Sequence, residues 1–587
     1  MRQLVACTCL FAIHTTSSAA TMTLETVAEK SGFQRTGRYE EVARLCDAFA
    51  QTWRDRVRCV EFGRSPEGRP MLALVVTQAG ALQPEQARKK GIPVMLAQGG
   101  IHAGEIDGKD AGFLALRQML EGKAAPHALE SFVLVFVPVF NVDGHERFGR
   151  WNRPNQNGPQ EMGWRATGQN LNLNRDYAKA DAPETRALLR LLNEWDPILY
   201  VDLHVTDGAQ FEHDIANIVE PRYAGDPQLQ PAGRALVAEL NRKLTAQGSL
   251  PLDFYPNLVE TDNPASGFEV AVQTPRYSTG YWALRNRYAL LVETQSWKDY
   301  PTRVRVTRNT LVVLAEMMAR QGREWASLAR SADQRARRIG GEEVALEYDN
   351  GPHVTTIDFR GVAYTRDPSP ISGATVTHYD PTMPQVWRVP LRDEIITKIA
   401  VRAPRGGYVV SSAHAAWVGE RLAVHGIEFT RIDKAFDALD VEAFRATKTT
   451  FDKAPSQGHM TVSLEGRWLT ERRALPAGSL YVPVGQPKAR LLMALLEPLS
   501  ADSFVAWGFF NSVFETVEYA EPYVTEQIAE EMLARDPEVA AAFKRRLEED
   551  PEFARSPDAR LEFFYRRHAS WDERRDLYPV FRVDAAP

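Results

Sequence analysis

Apolar runs alternate with amphipathic segments along roughly the first 330 residues of the chain. Five apolar runs of strand length predict buried strands, at residues 71–76, 92–97, 132–139, 198–203 and 288–292. Helical periodicity lies between these runs, for example where Leu188, Leu189, Leu192 and Trp195 recur every three or four positions. Such alternation of strands and helices is typical of an α/β domain.

The main domain boundary is predicted near residue 340. A long helical pattern at 305–338 ends there in two consecutive glycines, Gly340 and Gly341. Since glycine commonly ends a helix, we expect one domain over residues 21–340 and a second region over residues 341–587.

The second region has the pattern of a mixed α+β module. A βαβ-like unit is predicted there, with a helix at 414–424, Gly426 as its C-cap and a strand at 427–432. From Val524 onward the pattern is helical and densely charged, as on solvated helix faces. The aromatic stretch at 507–510 is more typical of a core than of a ligand platform. The sequence assigns no role to this module.

The N-terminus has the pattern of a secretory signal. Arg2 precedes an apolar run from Leu4 to Ile13, and small residues follow up to Ala20, after which we expect cleavage. The run is too short to span a bilayer, and no other stretch approaches the roughly 18 apolar residues that a membrane span needs. We therefore expect residues 1–20 to be removed and the protein to be exported, either to a periplasm or to the medium. The alternative interpretation is a buried first strand.

Cysteine usage fits this expectation without deciding it. Removal of the signal takes away Cys7 and Cys9 and leaves Cys46 with Cys59. An oxidising compartment would permit this pair to form a disulfide. Two free buried thiols remain the alternative.

Composition excludes several classes of protein. The chain has 587 residues, of which 44% are hydrophobic and 25% charged, as in an average globular protein. These values argue against long disorder, a fibre or a coiled coil. A formal charge of −6 is too mild and too evenly spread to indicate a nucleic-acid or membrane-surface partner. The oligomeric state is not indicated.

Polar side chains follow four of the predicted strands at the point where each strand ends. The four groups are His102 with Glu105, Asn141 with Asp143, Asp202 with His204, and Glu293. In an open α/β sheet, ligands bind at the carboxyl ends of the strands. These side chains are therefore better candidates for function than for structure.

His102, Glu105 and His204 are candidate metal ligands. Two imidazoles and one carboxylate that leave a position open for water are typical of a catalytic zinc site. The His-x-x-acid spacing alone is weak, because 12 histidines and 76 acidic residues give about 1.6 chance matches. His127-x-x-Glu130 is such a match, and it has an ordinary interpretation as a solvated segment. What distinguishes His102 is its context of strand, glycines and helix start, with another histidine at a second strand end.

Hydrolysis at such a site needs a base and an electrostatic partner for the carbonyl group. Glu293 is the natural base, since burial beside apolar residues would raise the pKa of its carboxyl group; an edge-of-sheet salt bridge is the alternative. Arg165 and Arg175 lie in the connection between the second and third polar strand ends. A guanidinium group can stabilise an oxyanion or bind a carboxylate in a bidentate manner.

In order and context, these residues resemble the zinc carboxypeptidases of the M14 family over roughly residues 30 to 330. The matching elements are His102-x-x-Glu105, Asn141-x-Asp143-Gly144, Trp164-Arg165, Asn174-Arg175, His204 and Glu293. The resemblance implies a mixed central sheet flanked by helices and one Zn²⁺ per chain, held by the three candidate ligands.

The resemblance also implies a role for each of the other residues. It implies that Glu293 is the general base and Arg165 the oxyanion stabiliser. Asn174 and Arg175 correspond to the pair that holds the terminal carboxylate of the substrate. The family's mobile tyrosine is best matched by Tyr277, with Tyr281 as the rival.

Two positions depart from the family pattern. Gly104 stands where well-known digestive members have an arginine, which removes one subsite contact. Asn172 replaces the aspartate that commonly supports the first zinc histidine, so the tuning of that ligand is expected to differ.

The favoured interpretation is a zinc carboxypeptidase that removes C-terminal residues from peptides with a free carboxylate. One alternative is a zinc amidase or endopeptidase that acts on N-acyl amino acids or cell-wall peptides. Another is an inactive binding protein on the same scaffold. Asn174 and Arg175 favour a substrate with a free carboxylate, and the complete set of ligands and base argues against an inactive protein.

Overall fold

The computed structural model describes residues 23–587. The predicted signal sequence, residues 1–20, lies outside the described residues. Within the described range, no helix combines the length and apolar composition that crossing a bilayer requires.

The first region contains the helices and strands of the predicted α/β domain. Its helices are α1 (Val27–Lys30), α2 (Tyr39–Thr52), α3 (Pro84–Lys90), α4 (Asp107–Leu120), α5 (Val142–Glu146), α6 (Pro183–Trp195), α7 (Gln230–Ala246), α8 (Ser278–Ala283) and α9 (Tyr300–Ala336). Its strands are β1 (Val57–Arg64), β2 (Pro70–Val76), β3 (Val94–Gly99), β4 (Val133–Val137), β5 (Leu199–Val205), β6 (Ile215–Glu220), β7 (Pro251–Leu252), β8 (Asn257–Leu258), β9 (Phe268–Glu269) and β10 (Tyr288–Thr294).

A mixed eight-stranded sheet forms the centre of this region, in the order β1-β2-β4-β3-β5-β10-β6-β7. Strands β4, β3, β5 and β10 are parallel neighbours, while β1, β2 and β6 pair antiparallel. The five predicted strands are all present, as β2, β3, β4, β5 and β10. The prediction of an α/β fold with a mixed central sheet is confirmed.

Helix α6 illustrates why the periodic pattern predicts structure well. It begins with Pro183 in its first turn, where the missing N–H has no cost, and it ends at Asp196 in a left-handed conformation. Leu188, Leu192 and Trp195 are buried on one face, as the spacing of three and four positions predicts.

The region beyond residue 340 is mixed α+β. Its helices are α10 (Ala415–His425), α11 (Ala489–Leu496), α12 (Pro522–Arg535), α13 (Pro537–Glu549), α14 (Pro551–Arg555) and α15 (Pro557–Tyr565). Its strands are β11 (Glu343–Asn350), β12 (Thr355–Pro368), β13 (Thr375–Arg392), β14 (Ile395–Arg402), β15 (Gly407–Val410), β16 (Thr430–Arg431), β17 (Phe436–Phe451), β18 (Val462–Leu475), β19 (Leu480–Pro483) and β20 (Leu577–Val583).

Two details of this region differ from the sequence-based expectations. The strand after α10 is shorter than predicted, because only Thr430–Arg431 (β16) pair, at the edge of the six-stranded sheet beside β19. The expectation of helix from Val524 onward was wrong at its end. Strand β20 lies in the middle of that sheet, between β15 and β17, where the apolar side chains of 577–583 are buried.

The two regions share strands and core. β13 pairs with β9 in a four-stranded sheet that contains strands from both sides of residue 340. The main hydrophobic cluster is also continuous from the central sheet into β15 and α11. At one such contact, the Tyr281 hydroxyl lies 2.9 Å from Nδ1 of the buried His425. The domain boundary at residue 340 remains a prediction from the sequence. The two regions on either side of it pack extensively against each other.

Cys46 and Cys59 form a disulfide bond. The bond joins α2 to β1 at the edge of the central sheet. Of the two alternatives that the sequence left open, the structure contains the bonded pair.

Candidate metal centre and active site

All eight candidate site residues line one cavity of about 450 Å³ at the carboxyl ends of the parallel strands: His102, Glu105, Arg165, Asn174, Arg175, His204, Tyr277 and Glu293. They come from six separate parts of the chain. The parallel arrangement of β3, β5 and β10 explains this convergence, because such strands end at the same edge of the sheet.

His102, Glu105 and His204 form a buried cluster whose potential ligand atoms all lie within 4.8 Å of one another. Nδ1 of His102 lies 2.8 Å from Oε1 of Glu105, and Nδ1 of His204 lies 2.9 Å from Oε2. Both imidazoles therefore direct the same ring nitrogen towards one carboxylate. Two imidazole nitrogens and a carboxylate oxygen are the donor set of a catalytic zinc site, so the residues present fit this metal.

Side-chain oxygens lie behind both histidine rings. Oδ1 of Asn172 accepts a hydrogen bond from the backbone N–H of Asn174 (3.0 Å) and lies 3.1 Å from Nε2 of His102. Since this oxygen can only accept, a proton on Nε2 would satisfy the contact and leave the lone pair of Nδ1 available for a metal. Nε2 of His204 lies 3.1 Å from Oδ2 of Asp202. Such outer partners hold metal-binding histidines in one tautomer.

The charges around the cluster affect its three members differently. Burial lowers the pKa of His102 to about 4, so the imidazole is neutral near pH 7. Burial acts to raise the pKa of Glu105, but its contacts with His102, Arg153 and His204 outweigh burial and hold that pKa well below its ordinary value. Burial acts to lower the pKa of His204, but the carboxylate of Asp202 outweighs it and raises that pKa well above its ordinary value, so a metal would have to displace a proton from this ring.

Glu293 lies beside this cluster and forms no bond with it. On β10 it pairs in register with His204 on β5, so that both side chains project from the same edge of the sheet. The side chain is buried, and its Oε2 atom has no hydrogen-bond partner among residues 23–587. Burial raises the pKa of Glu293 to about 8. A carboxyl group with these properties can accept and return a proton near neutral pH.

Arg165 reaches the cluster through a fixed loop. The Asn141 side chain accepts a hydrogen bond from the Gly144 N–H (2.9 Å) and donates one to the Arg165 carbonyl oxygen (3.0 Å). This explains the polar motif after β4, because it anchors the arginine loop against the strand end. Nη1 of Arg165 lies 3.3 Å from Oε1 of Glu105, and the side chain is 36% exposed to the cavity.

Arg175 and Tyr277 stack on one another. The guanidinium carbon of Arg175 lies 4.4 Å from the centre of the Tyr277 ring. Oδ1 of Asn174 is buried without a hydrogen-bond partner in the described chain. The rival tyrosine, Tyr281, is fully buried and bonded to His425, so it does not line the cavity.

Arg153 is a site residue that the sequence analysis missed. Its Nη1 atom lies 3.0 Å from Oε1 of Glu105, and its Nη2 atom donates to Oδ1 of Asp207 (3.0 Å). A Cβ atom on Gly104 would lie 2.6 Å from Cγ of Arg153, so the glycine leaves the space that this side chain occupies. Gly104 was the available signal in the sequence, because a missing side chain beside a candidate metal ligand leaves space that another side chain can occupy.

Comparison with known proteins agrees with this geometry. The family described as zinc carboxypeptidase matches residues 42–248. Carboxypeptidase 2 of Trichophyton rubrum is 23% identical over 462 residues, which cover 76% of this chain and 79% of that protein. Probable carboxypeptidase 2 of Arthroderma benhamiae is 23% identical over 455 residues, covering 75% and 79%. These shares exceed residues 30 to 330, so the similarity to these relatives extends further along the chain.

Solved structures of carboxypeptidases also align with part of the chain. Carboxypeptidase A from Helicoverpa armigera aligns with a TM-score of 0.36 and 16% identity, over 51% of this chain and 75% of that one. A metallo-carboxypeptidase from Burkholderia cenocepacia aligns with a TM-score of 0.34 and 14% identity, over 46% and 68%.

The segment that the family matches contains the three candidate ligands and also Arg165 and Arg175. Tyr277 and Glu293 follow it along the chain. Over residues 42–248, the chain is therefore similar to the zinc carboxypeptidase family.

Proposed function

We propose that this protein is a zinc-dependent carboxypeptidase, which hydrolyses the last peptide bond of peptides that end in a free carboxylate. The observation that carries the proposal is the cavity that contains the His102–Glu105–His204 cluster, an unpaired buried Glu293 and the Asn174–Arg175 pair. A metal site, a base and a carboxylate-binding group are the three components that such a reaction needs.

Each of the cavity residues has its own role in the reaction. His102, Glu105 and His204 would hold one Zn²⁺, which when bound polarises the scissile carbonyl group and lowers the pKa of water. Glu293 takes a proton from the attacking water and returns it to the leaving amine nitrogen. Arg165 donates hydrogen bonds to the oxygen on which negative charge develops. Arg175 and Asn174 bind the terminal carboxylate, and Tyr277 covers it.

Export of the protein is a further part of this proposal. The pattern at residues 1–20 is that of a secretory signal, and the Cys46–Cys59 disulfide suits an oxidising compartment. Reducing and non-reducing mass mapping of protein recovered from cell fractions would test both points. A reduced pair in the native protein would contradict export.

The test of the activity compares two histidines that share the same His-x-x-Glu spacing. We expect wild-type protein to bind about one zinc per chain, and we expect His102→Ala to lose the zinc and the hydrolysis of an acyl-dipeptide. His127→Ala is the matched control, because His127 lies 2.9 Å from Glu130 but is 81% exposed at the surface. Equal zinc content in wild type and His102→Ala would overturn the metal assignment.

A second comparison distinguishes the carboxypeptidase from the amidase and endopeptidase alternatives. The wild-type enzyme is given the same acyl-dipeptide with a free C-terminal carboxylate and with a C-terminal amide. We expect the free acid to be hydrolysed much faster, because only the carboxylate forms charge-assisted bonds with Arg175. Equal rates would favour an endopeptidase or amidase.

A further inference from the structure

One wall of the cavity is a segment that the region beyond residue 340 holds at both ends. We call residues 270–277 the wall segment, since most of them line the cavity, Tyr277 among them. The segment begins directly after β9 and ends at the start of α8. It contains no regular secondary structure of its own, so its conformation depends on what anchors it.

The first anchor is the strand pairing between β9 and β13. Phe268 pairs with Leu391, and Glu269 pairs with Arg392. The ladder continues into the wall segment, where the Val270 N–H donates to the Arg392 carbonyl oxygen (2.9 Å). The Asn350 side chain donates to the carbonyl oxygen of Val270 (2.9 Å). The beginning of the segment is thus bonded to residues beyond 340 on both its donor and its acceptor.

The second anchor is Asp502. This carboxylate is fully buried, and it accepts hydrogen bonds from both the backbone N–H (2.7 Å) and Nε (2.6 Å) of Arg276. The guanidinium group of Arg276 also lies over the Trp507 ring, 4.7 Å from its centre. Two charge-assisted hydrogen bonds to one residue fix both its backbone and its side chain. The residue so fixed directly precedes Tyr277.

A third contact reaches the loop that contains Asn174 and Arg175. Oε1 of Gln457, in the connection between β17 and β18, accepts a hydrogen bond from the backbone N–H of Asn172 (2.8 Å). Asn172 in turn is bonded to Asn174. The loop that supplies the Asn174–Arg175 pair and the segment that supplies Tyr277 therefore both contact the C-terminal region.

We propose that the region beyond residue 340 builds the carboxylate-binding part of the active site, and that Asp502 is a positioning residue that holds Tyr277 over Arg175. The role of these groups in binding a terminal carboxylate rests on the proposed function. The physical reason is preorganisation, since a segment fixed before binding loses less conformational freedom when the substrate arrives. Asp502 acts through Arg276 and touches no substrate.

The test uses the full-length protein with Asp502→Asn, which preserves shape but removes the charge. We expect KM for an acyl-dipeptide with a free carboxylate to rise about tenfold, while kcat per active site changes little and the zinc content is unchanged. A purely structural defect would lower the amount of active enzyme, and so the apparent kcat, without changing KM. Glu420→Gln is the control, since it removes a different ion pair between the two regions, Arg186–Glu420 at 2.5 Å.

A second measurement needs no activity. Trypsin cleaves after arginine, and in the wild-type protein we expect the Arg276–Tyr277 bond to resist it because Asp502 holds that backbone. Asp502→Asn should be cut there, whereas wild type and Glu420→Gln should not. If Asp502→Asn fails to fold, Arg276→Lys serves instead, because it keeps the charge and the cleavage site but loses the Nε donor to Asp502. Cleavage after position 276 is again expected, and resistance equal to wild type would count against the role of this contact.

The outcomes separate this proposal from the proposed function. Wild-type protein without activity on free-carboxylate peptides would overturn the function, while the trypsin experiment would still decide whether Asp502 holds the wall segment. An unchanged KM together with an intact Arg276–Tyr277 bond in the variant would overturn the positioning role.

Discussion

Glu293 and His204 occupy paired positions on two neighbouring parallel strands, β10 and β5. This pairing places the proposed base beside a proposed metal ligand through backbone hydrogen bonds of the sheet. A sheet position is more rigid than a loop position, so the relative placement of the two groups does not depend on side chains at the surface.

We expect Glu293→Gln to keep the zinc and to lower kcat by a factor of about 10²–10⁴, since it removes proton transfer and not ligation. Steady-state kinetics with metal analysis would measure both. A variant with wild-type kcat would show that the base is a different residue.

The pH dependence of kcat/KM should reflect the titration of Glu293. Glu293 must lose its proton to act as a base, so kcat/KM should rise with pH through the pKa of its carboxyl group. Burial raises that pKa from its ordinary value of 4.5 to about 8, and the positive charge of bound zinc lowers it again. We therefore expect the midpoint of the acidic limb between these values. A midpoint below 4.5 would contradict a buried base.

Asn172 offers a test of how the first histidine is tuned. Asn172→Asp would place a negative charge at the oxygen that faces Nε2 of His102, and so make the opposite ring nitrogen a stronger ligand. We expect zinc affinity to increase by roughly tenfold, measured by competition with a chelator. Asp202→Asn is the reciprocal variant, and it should weaken zinc binding through His204. Unchanged affinity in both variants would contradict the supporting role of these oxygens.

The two cavity arginines should have different effects. Arg175→Ala should lose much of the preference for free over amidated peptides, because it removes the charge that binds the carboxylate. Arg165→Ala should slow both substrates by about 10²–10³, through lost stabilisation of the oxyanion. Rates on the paired acid and amide substrates measure the difference. If the two variants lost activity in the same proportion on both substrates, the separate roles would be wrong.

Stability should depend on pH through Glu184 in α6. This side chain is buried, its oxygens have no hydrogen-bond partner among residues 23–587, and burial raises its pKa from 4.5 to about 7. Because the folded state holds the proton more tightly than the unfolded state, the free energy of unfolding should fall as pH rises from about 4.5 through 7, by roughly 1–3 kcal/mol. Glu184→Gln should remove this part of the dependence, as measured by urea unfolding between about pH 5 and 8. The exposed Glu40→Gln is the control, and an identical pH dependence in both variants would contradict the prediction.

Local patterns in the sequence predict a large part of this structure. Strand β10 is an apolar run with one charged residue, Glu293, next to its end, and that contrast marks Glu293 as a candidate. The same contrast distinguishes His102 and His204. Because parallel strands end at a common edge, local signals far apart in the chain can be assigned to one site.

Contacts that depend on distant packing are not predictable in this way. Arg153 and Asp502 lie in connections without periodicity, and nothing near them in the chain indicates their partners Glu105 and Arg276. The sequence of strand β20 is mostly apolar, but it follows charged helices. The change from helical to strand periodicity is therefore hard to recognise in the sequence.

The strands and core shared across residue 340 have a consequence for how this protein could have evolved. The region beyond residue 340 supplies β13 to the sheet of β9 and packs His425 against Tyr281. It therefore should not be gained or lost as an independent domain. Insertions and deletions at the residues that anchor the wall segment would alter the active site. Related chains should therefore have changed both regions together, and an exchange of the C-terminal part between relatives should succeed only when the wall segment is exchanged with it.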